Sequence, residues 1–193
     1  MDAGRLKAWL ALCRASGVGS VAVGKLLQQF GEPEAIFKAS RESLRAVGLS
    51  SAQIDALRTP DETGIALDLT WLAGERRGLL SFDDPRYPAA LREIANAPAM
   101  LFWQGDIELL SWPQLAIVGS RAATPQGLQD AQAFAAEFAR RGIAITSGLA
   151  LGIDGAAHRG ALSADGATIA VCATGLDRVY PARHQALARE IVD

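Results

Sequence analysis

The chain has 193 residues, half of them hydrophobic, few of them aromatic, with a formal net charge of −2. That length allows one or two domains with a real core, no run is apolar and long enough to span a bilayer, and the charge balance excludes a uniformly basic nucleic-acid binder, so any polyanion site must be a local patch. Two cysteines, Cys13 and Cys172, lie far apart in sequence, which excludes a disulfide framework and fits a reducing cytoplasm.

Arg5 and Lys7 precede the apolar run Ala8–Cys13, but Asp2 and Arg14 flank it too closely for a secretory signal, so Arg5–Ala15 reads as a cytosolic helix. Its predicted apolar face is Leu6, Trp9, Leu10 and Cys13. The turn Gly17-Val18-Gly19 leads to a second helix carrying Val23, Leu26, Leu27 and Phe30, and Gly31 stops it. A similar pattern returns around Val47-Gly48-Leu49. Two such hairpins make a five-helix unit that resembles SAM-like or helix-hairpin-helix domains. The glycines serve either as helix C-caps with a packing or protein-contact role, or as turns offering amides to a DNA phosphate. Thr59-Pro60-Asp61 marks a boundary, and Glu62–Arg77 reads as a linking helix stopped by Gly78. An edge strand at Leu79–Phe82, a short helix at YPAALREI and a strand at Met100–Trp103 follow, with Cys172 expected in a buried strand further on. The expected domains are 1–60 (helical), 61–78 (linking helix) and 79–193 (sheet domain).

Three apolar runs between Leu115 and Pro181 each end in a turn rich in Gly, Ser and Thr. Leu115–Val118 predicts a strand broken by Gly119, Ser120 and Arg121. Thr124 is the predicted N-cap of a helix with Pro125 at its first position, ending near Arg140. Ile143–Thr146 predicts the next strand, and Ser147, Gly148, Leu149 and Gly152 a glycine loop opening a helix that Asp154 caps. A strand–helix–strand crossover of this length makes a parallel unit. The carboxyl strand ends should converge on one anion-binding crevice at a topological switch point, served by free amides and the positive end of a helix dipole. No G-x-G-x-x-G fingerprint or G-x-x-x-x-G-K-[ST] loop is present, so no nucleotide cofactor is expected. No histidines and acids have metal-ligand spacing.

The blocks IVGSR, SGLALGIDGAAHRGAL and GLDRVYP, in that order and spacing, resemble the DprA/Smf family of DNA-processing proteins. The resemblance covers roughly Tyr87 to Ile191. It implies an α/β fold with a Rossmann-like parallel sheet preceded by a small all-α domain. It also implies single-stranded DNA as ligand, a RecA-type recombinase as partner in natural transformation and competence, and a homodimer in the full-length family. The phosphate-contacting turn carried over is Gly119, Ser120 and Arg121. The glycine loop is Ser147, Gly148, Leu149 and Gly152, and the basic rim includes Arg178 and Arg183. The family carries Asn a few residues after the Tyr-Pro pair, where this chain has His184. Family members also continue beyond the point matching Asp193, which implies that the carboxy-terminal part is lacking here.

Arg121 suits bidentate phosphate binding, or alternatively a salt bridge to Asp154 or Asp177. Arg159, Arg178, Arg183 and Arg189 cluster near the third turn, and Tyr180 either stacks a base or packs under the loop. Arg140 and Arg141 end the first crossover helix at the opposite pole, as dipole-complementing charge. Asp154 and His158, four apart, would form a dyad in an enzyme with Ser147 as nucleophile, but no nucleophile-elbow sequence accompanies them. No catalytic residue is therefore expected, and the expected activity is strand binding without chemistry. Two alternatives stay open: a nucleotide phosphoribohydrolase-like enzyme, whose second acidic glycine motif is absent before Asp193, and an adaptor acting through the helical unit.

Overall fold

The computed structural model describes all residues from Met1 to Asp193. It divides into two compact units, Met1–Phe102 and Trp103–Asp193. The stretch from Leu79 to Phe102, grouped with the sheet domain on sequence, falls by compactness with the helical unit.

The first unit opens with five helices: α1 (Ala3–Arg14), α2 (Ser20–Phe30), α3 (Pro33–Lys38), α4 (Arg41–Ala46) and α5 (Ser51–Arg58). Trp9, Leu12, Val23, Leu26, Ile36, Leu44, Ile54 and Leu57 form its core. The buried stripe of α1 is Trp9 to Leu12, with Cys13 exposed, because Leu10 and Ala11 turn away from that core to pack on Ile65. Apolar neighbours on two sides widen the stripe beyond a single amphipathic face. Gly17 (φ +76°) and Gly48 (φ +97°) both take left-handed backbone at helix ends. After α4, Leu49 N–H returns to the Leu44 carbonyl and Gly48 N–H to Arg45, closing the helix C-terminus. Gln53, half of the capping box of α5, donates to the Gly17 carbonyl at 2.6 Å and so ties the two glycine turns together.

Helix α6 (Glu62–Leu72) is capped by Asp61, which accepts from Gly64 N–H. It ends five residues earlier than periodicity suggests, because the chain reverses at Gly74–Arg76, where Arg76 has φ +51°. Strands β1 (Arg77–Ser81) and β2 (Met100–Gln104) pair in a two-stranded sheet, with the short helix α7 (Ala89–Arg92) between them in sequence.

The second unit carries β3 (Gln114–Ala116), α8 (Pro125–Arg140), β4 (Ala144–Ser147), α9 (Ile153–Leu162), β5 (Thr168–Ala170) and α10 (Gln185–Val192). All three strands are parallel in the order β3-β4-β5, with Leu115 opposite Ile145 and Thr146 opposite Ile169. This is the expected Rossmann-like alternation. Strand order follows chain order without reversal, so the carboxyl ends here form no topological switch point. Cys172 lies past the end of β5 and is half-buried rather than in a strand.

Ala135, Ala139, Ile145, Ala157 and Ala161 pack α8 and α9 onto the sheet, with Leu115, Ile117 and Phe138 around them. The alanines and Gly160 let the helices approach closely. A Cβ on Gly160 would overlap the Gln132 carbonyl and sit 2.8 Å from the Ala135 methyl. His158, fully buried, locks α9 to β5. The Thr168 hydroxyl donates to the Ile145 carbonyl at 2.7 Å, so His158 Nδ1–H donates to Thr168 Oγ1, also at 2.7 Å. Its Nε2 is the unprotonated nitrogen and meets no polar partner. Burial pushes the His158 pKa down to about 4, against a smaller opposing pull from Asp154.

Two predictions follow from this packing. Gly160→Ala should destabilise by ~1–3 kcal/mol in urea unfolding, because overpacking outweighs the ~1 kcal/mol that alanine ordinarily adds in a helix. Unfolded His158 takes a proton near pH 6.5 and the folded residue resists until about 4. Unfolding free energy should therefore fall as pH drops through that window, by about 3 kcal/mol from this group. Urea midpoints across the window should show a shallower fall for His158→Asn than for the natural chain.

Candidate nucleic-acid interface

The turn after β3 carries the site. Ile117 N–H still donates to the Thr146 carbonyl at 3.0 Å, and beyond it Val118, Gly119, Ser120 and Arg121 are exposed. The turn is held against the start of α9: Ile153 N–H donates to the Ser120 carbonyl at 3.2 Å. A Cβ on Gly119 would lie 2.7 Å from the Ile153 side chain, and one on Gly152 would overlap the Ser120 carbonyl. Gly152 also has φ +82°. Only glycine suits either position. Ser120 Oγ accepts from Ala122 N–H at 3.1 Å, and Thr124 caps α8 by accepting from Gly127 N–H at 3.1 Å, with Pro125 in the first position as predicted.

The N–H groups of Gly119, Ser120 and Arg121 donate to no acceptor in the chain. The Arg121 side chain is exposed and forms neither of the salt bridges open to it on sequence. Asp177 pairs instead with Arg178 at 3.7 Å, and Asp154 accepts from Ala150 N–H at 3.2 Å.

The glycine loop after β4 differs from expectation in two respects. Ser147 is 2% exposed, and its hydroxyl donates to the Ile117 carbonyl at 2.6 Å, so it faces the sheet rather than the crevice. Asp154 is not the N-cap of α9. Gly152 is, without a side-chain cap, because its left-handed backbone starts the helix at Ile153. Asp154 therefore sits in the first turn, and its carboxylate reaches back into the loop. The Ser120 carbonyl and the Asp154 carboxylate thus serve the positive end of α9, and the open donors are in the Gly119–Arg121 turn and at Gly148. Leu149 is buried in left-handed backbone (φ +61°), so only its main chain borders the crevice.

The third turn follows β5. Val171 N–H closes the last rung on the Ser147 carbonyl at 2.8 Å, and its side chain is exposed. Arg178 and Arg183 are exposed, and Tyr180 is 69% exposed ahead of a cis bond to Pro181, so its ring is not packed under the loop. His184 is buried, its Nδ1–H donating to the Leu149 carbonyl at 2.8 Å, which ties the third turn to the glycine loop. Gly155 makes room for this. A Cβ there would come within 2.6 Å of the His184 ring and 3.3 Å of the Arg159 guanidinium, so Arg159 reaches the same neighbourhood. Arg140 and Arg141 pair with Glu137 at the far end of α8. The tie from His184 to Leu149 is not legible in the sequence, where the two lie 35 residues apart.

Asp154 and His158 form no mutual hydrogen bond, since Nδ1 of His158 is committed to Thr168. No cluster of three or more His, Cys, Asp or Glu is placed to hold a metal ion. No helix is long and apolar enough to cross a membrane.

The family model described as DNA recombination-mediator protein A matches residues 78–193. Protein Smf of Escherichia coli is 37% identical over 150 residues, covering 78% of this chain and 40% of that protein. The X-ray structure of DNA processing protein A from Streptococcus pneumoniae superposes with a TM-score of 0.79 at 29% identity, over 99% of this chain and 65% of that one. A structure of the Helicobacter pylori DNA processing protein A, described for its single-stranded DNA binding mode, gives a TM-score of 0.54 at 33% identity, over 61% of this chain and 52% of that one. The chain spans 40–50% of the length of the curated relatives from Escherichia coli, Streptococcus pneumoniae and Mycobacterium tuberculosis. Since the match takes in the entire unit that carries the parallel sheet and its glycine turns, the chain belongs to the DNA recombination-mediator protein A family.

Proposed function

We propose that this chain binds single-stranded DNA by its phosphate backbone at the carboxyl ends of β3–β5, without catalysing a reaction. The bound strand would be handed to a RecA-type recombinase during DNA uptake. The observation that carries this reading is the Gly119–Arg121 turn, where three unengaged main-chain N–H groups stand beside an exposed guanidinium with no carboxylate partner. Such donors suit a phosphate oxygen, and the planar fork of Arg121 adds a charge-assisted pair. Arg159 and Arg183 extend the positive rim, a local patch on a chain of net charge −2, with Arg178 beside them shared with Asp177 at 3.7 Å. Exposed Val118 stands on the turn after β3, and exposed Val171 and Tyr180 on the turn after β5. They offer apolar surface for unpaired bases, with Tyr180 suited to stacking worth ~1–3 kcal/mol. A duplex hides its bases and cannot use that surface. The Helicobacter pylori relative, described as binding single-stranded DNA, supports the same class of ligand.

The test is a mobility-shift titration of single- against double-stranded DNA at several salt concentrations. If Arg121, Arg159 and Arg183, which have no carboxylate partner, each neutralise one phosphate, log affinity should fall against log salt with a slope of about −2, at ~0.7 per contact on a single strand. Arg121→Glu, checked for retained fold by circular dichroism, should weaken single-strand binding at least ~tenfold and flatten that slope. Binding that ignores salt, or release of free base from a nucleoside monophosphate, would overturn the proposal.

A further inference from the structure

Ser147 ends β4 at the point where β3 leaves the sheet. The β3–β4 ladder pairs Gln114 with Ala144, Leu115 with Ile145 and Ala116 with Thr146. Carried one step on, Ile117 stands opposite Ser147, and the first bond of that rung is present, Ile117 N–H to the Thr146 carbonyl at 3.0 Å. In a parallel ladder the second bond of the rung runs from the next residue's N–H, here Gly148, to the Ile117 carbonyl. That bond is absent. The Ser147 hydroxyl takes the Ile117 carbonyl instead, at 2.6 Å. On its other edge β4 keeps pairing, with Val171 N–H on the Ser147 carbonyl at 2.8 Å. The ladder is therefore cut on the β3 side alone, where the Gly119–Arg121 turn leaves the sheet. Gly148 is exposed and its N–H donates to nothing in the chain. The nearby Asp154 carboxylate accepts from Ala150 and not from Gly148.

We infer that Ser147 is a positioning residue: by occupying the Ile117 carbonyl it frees the Gly148 N–H as a fourth main-chain donor to the DNA phosphate. The inference rests on the single-strand reading above, but its geometry can be tested without DNA. An alanine at 147 removes the competing hydroxyl, so Gly148 N–H closes on the Ile117 carbonyl and is withdrawn from the crevice. A threonine keeps the hydroxyl.

The experiment uses the whole chain as wild type, Ser147→Ala and Ser147→Thr. Amide hydrogen exchange of Gly148 is followed by NMR without DNA, and binding of a dT oligonucleotide is titrated at several salt concentrations. Gly148 should exchange fast in the wild type and the threonine variant and be protected in Ser147→Ala. Affinity should fall on the order of tenfold in Ser147→Ala, the loss of one hydrogen bond to a charged group. The salt slope should stay unchanged because no cation is removed, and Ser147→Thr should bind like wild type. Protection of Gly148 in the wild type would overturn the inference. So would wild-type affinity in Ser147→Ala, a threonine variant as weak as the alanine one, or a changed salt slope, which would make Ser147 part of the cationic surface. If the wild type fails to bind dT at all, the single-strand reading falls, while the exchange data still decide whether Ser147 sets the state of Gly148.

Discussion

The site depends on a close approach between two backbones. The Ser120 carbonyl receives the first N–H of α9, and this contact exists only because Gly119 and Gly152 have no side chains to hold the segments apart. Pinned by its carbonyl, the turn cannot fold its own N–H groups back onto the sheet. They are left without an acceptor in the chain, with no strain at Gly119, Ser120 or Arg121, none of which has positive φ. Preorganised donors of this kind bind an anion without first being ordered, which is where much binding energy is otherwise lost.

The distribution of charge sharpens the point. Arg14, Arg41, Arg86, Arg140 and Arg141 each lie against a carboxylate. Exposed pairs of this sort contribute little to stability, but they remove those arginines as free cations. Arg121 is spared, and the nearest acids on the site's own elements are otherwise engaged, Asp154 with Ala150 N–H and Asp177 beside Arg178. A chain with slightly more acids than bases can thus present a cationic rim. Asp154 has a second effect. It puts a carboxylate in the first turn of α9, against the positive end of that helix, while the unengaged main-chain donors lie on the turn after β3 and at Gly148.

Much of this was legible in the sequence because it is governed by local rules. Thr124-Pro125 set the start of α8, and Arg140 and Gly142 its end, as capping chemistry requires. The parallel alternation and the position of Arg121 followed from three apolar runs broken by glycine turns. What could not be read depends on which groups meet across space. Asp154 has the composition of an N-cap, yet the left-handed backbone of Gly152 moved the helix start ahead of it. Ser147 sits in a glycine loop by sequence and in a strand by structure, because it still pairs with Ala170 of β5. His184 lies far from Leu149 along the chain, and the bond between them needs the third turn to fold back over Gly155. Burial on two sides of α1 likewise depends on α6, which no window of α1 contains.

A site built largely of main-chain donors also constrains what it can recognise. Phosphate contacts fix position and carry no base information. Amides at Gly119, Ser120 and Arg121 are the same whatever side chains or bases lie near them, and the exposed apolar side chains beside them meet any base equally by its flat face. If the proposed single-strand binding holds, such a surface would discriminate by strandedness, since it would reward bases that are free to lie down, and not by sequence. That selectivity would follow from backbone geometry held by glycines, with the arginines supplying attraction and the amides supplying direction.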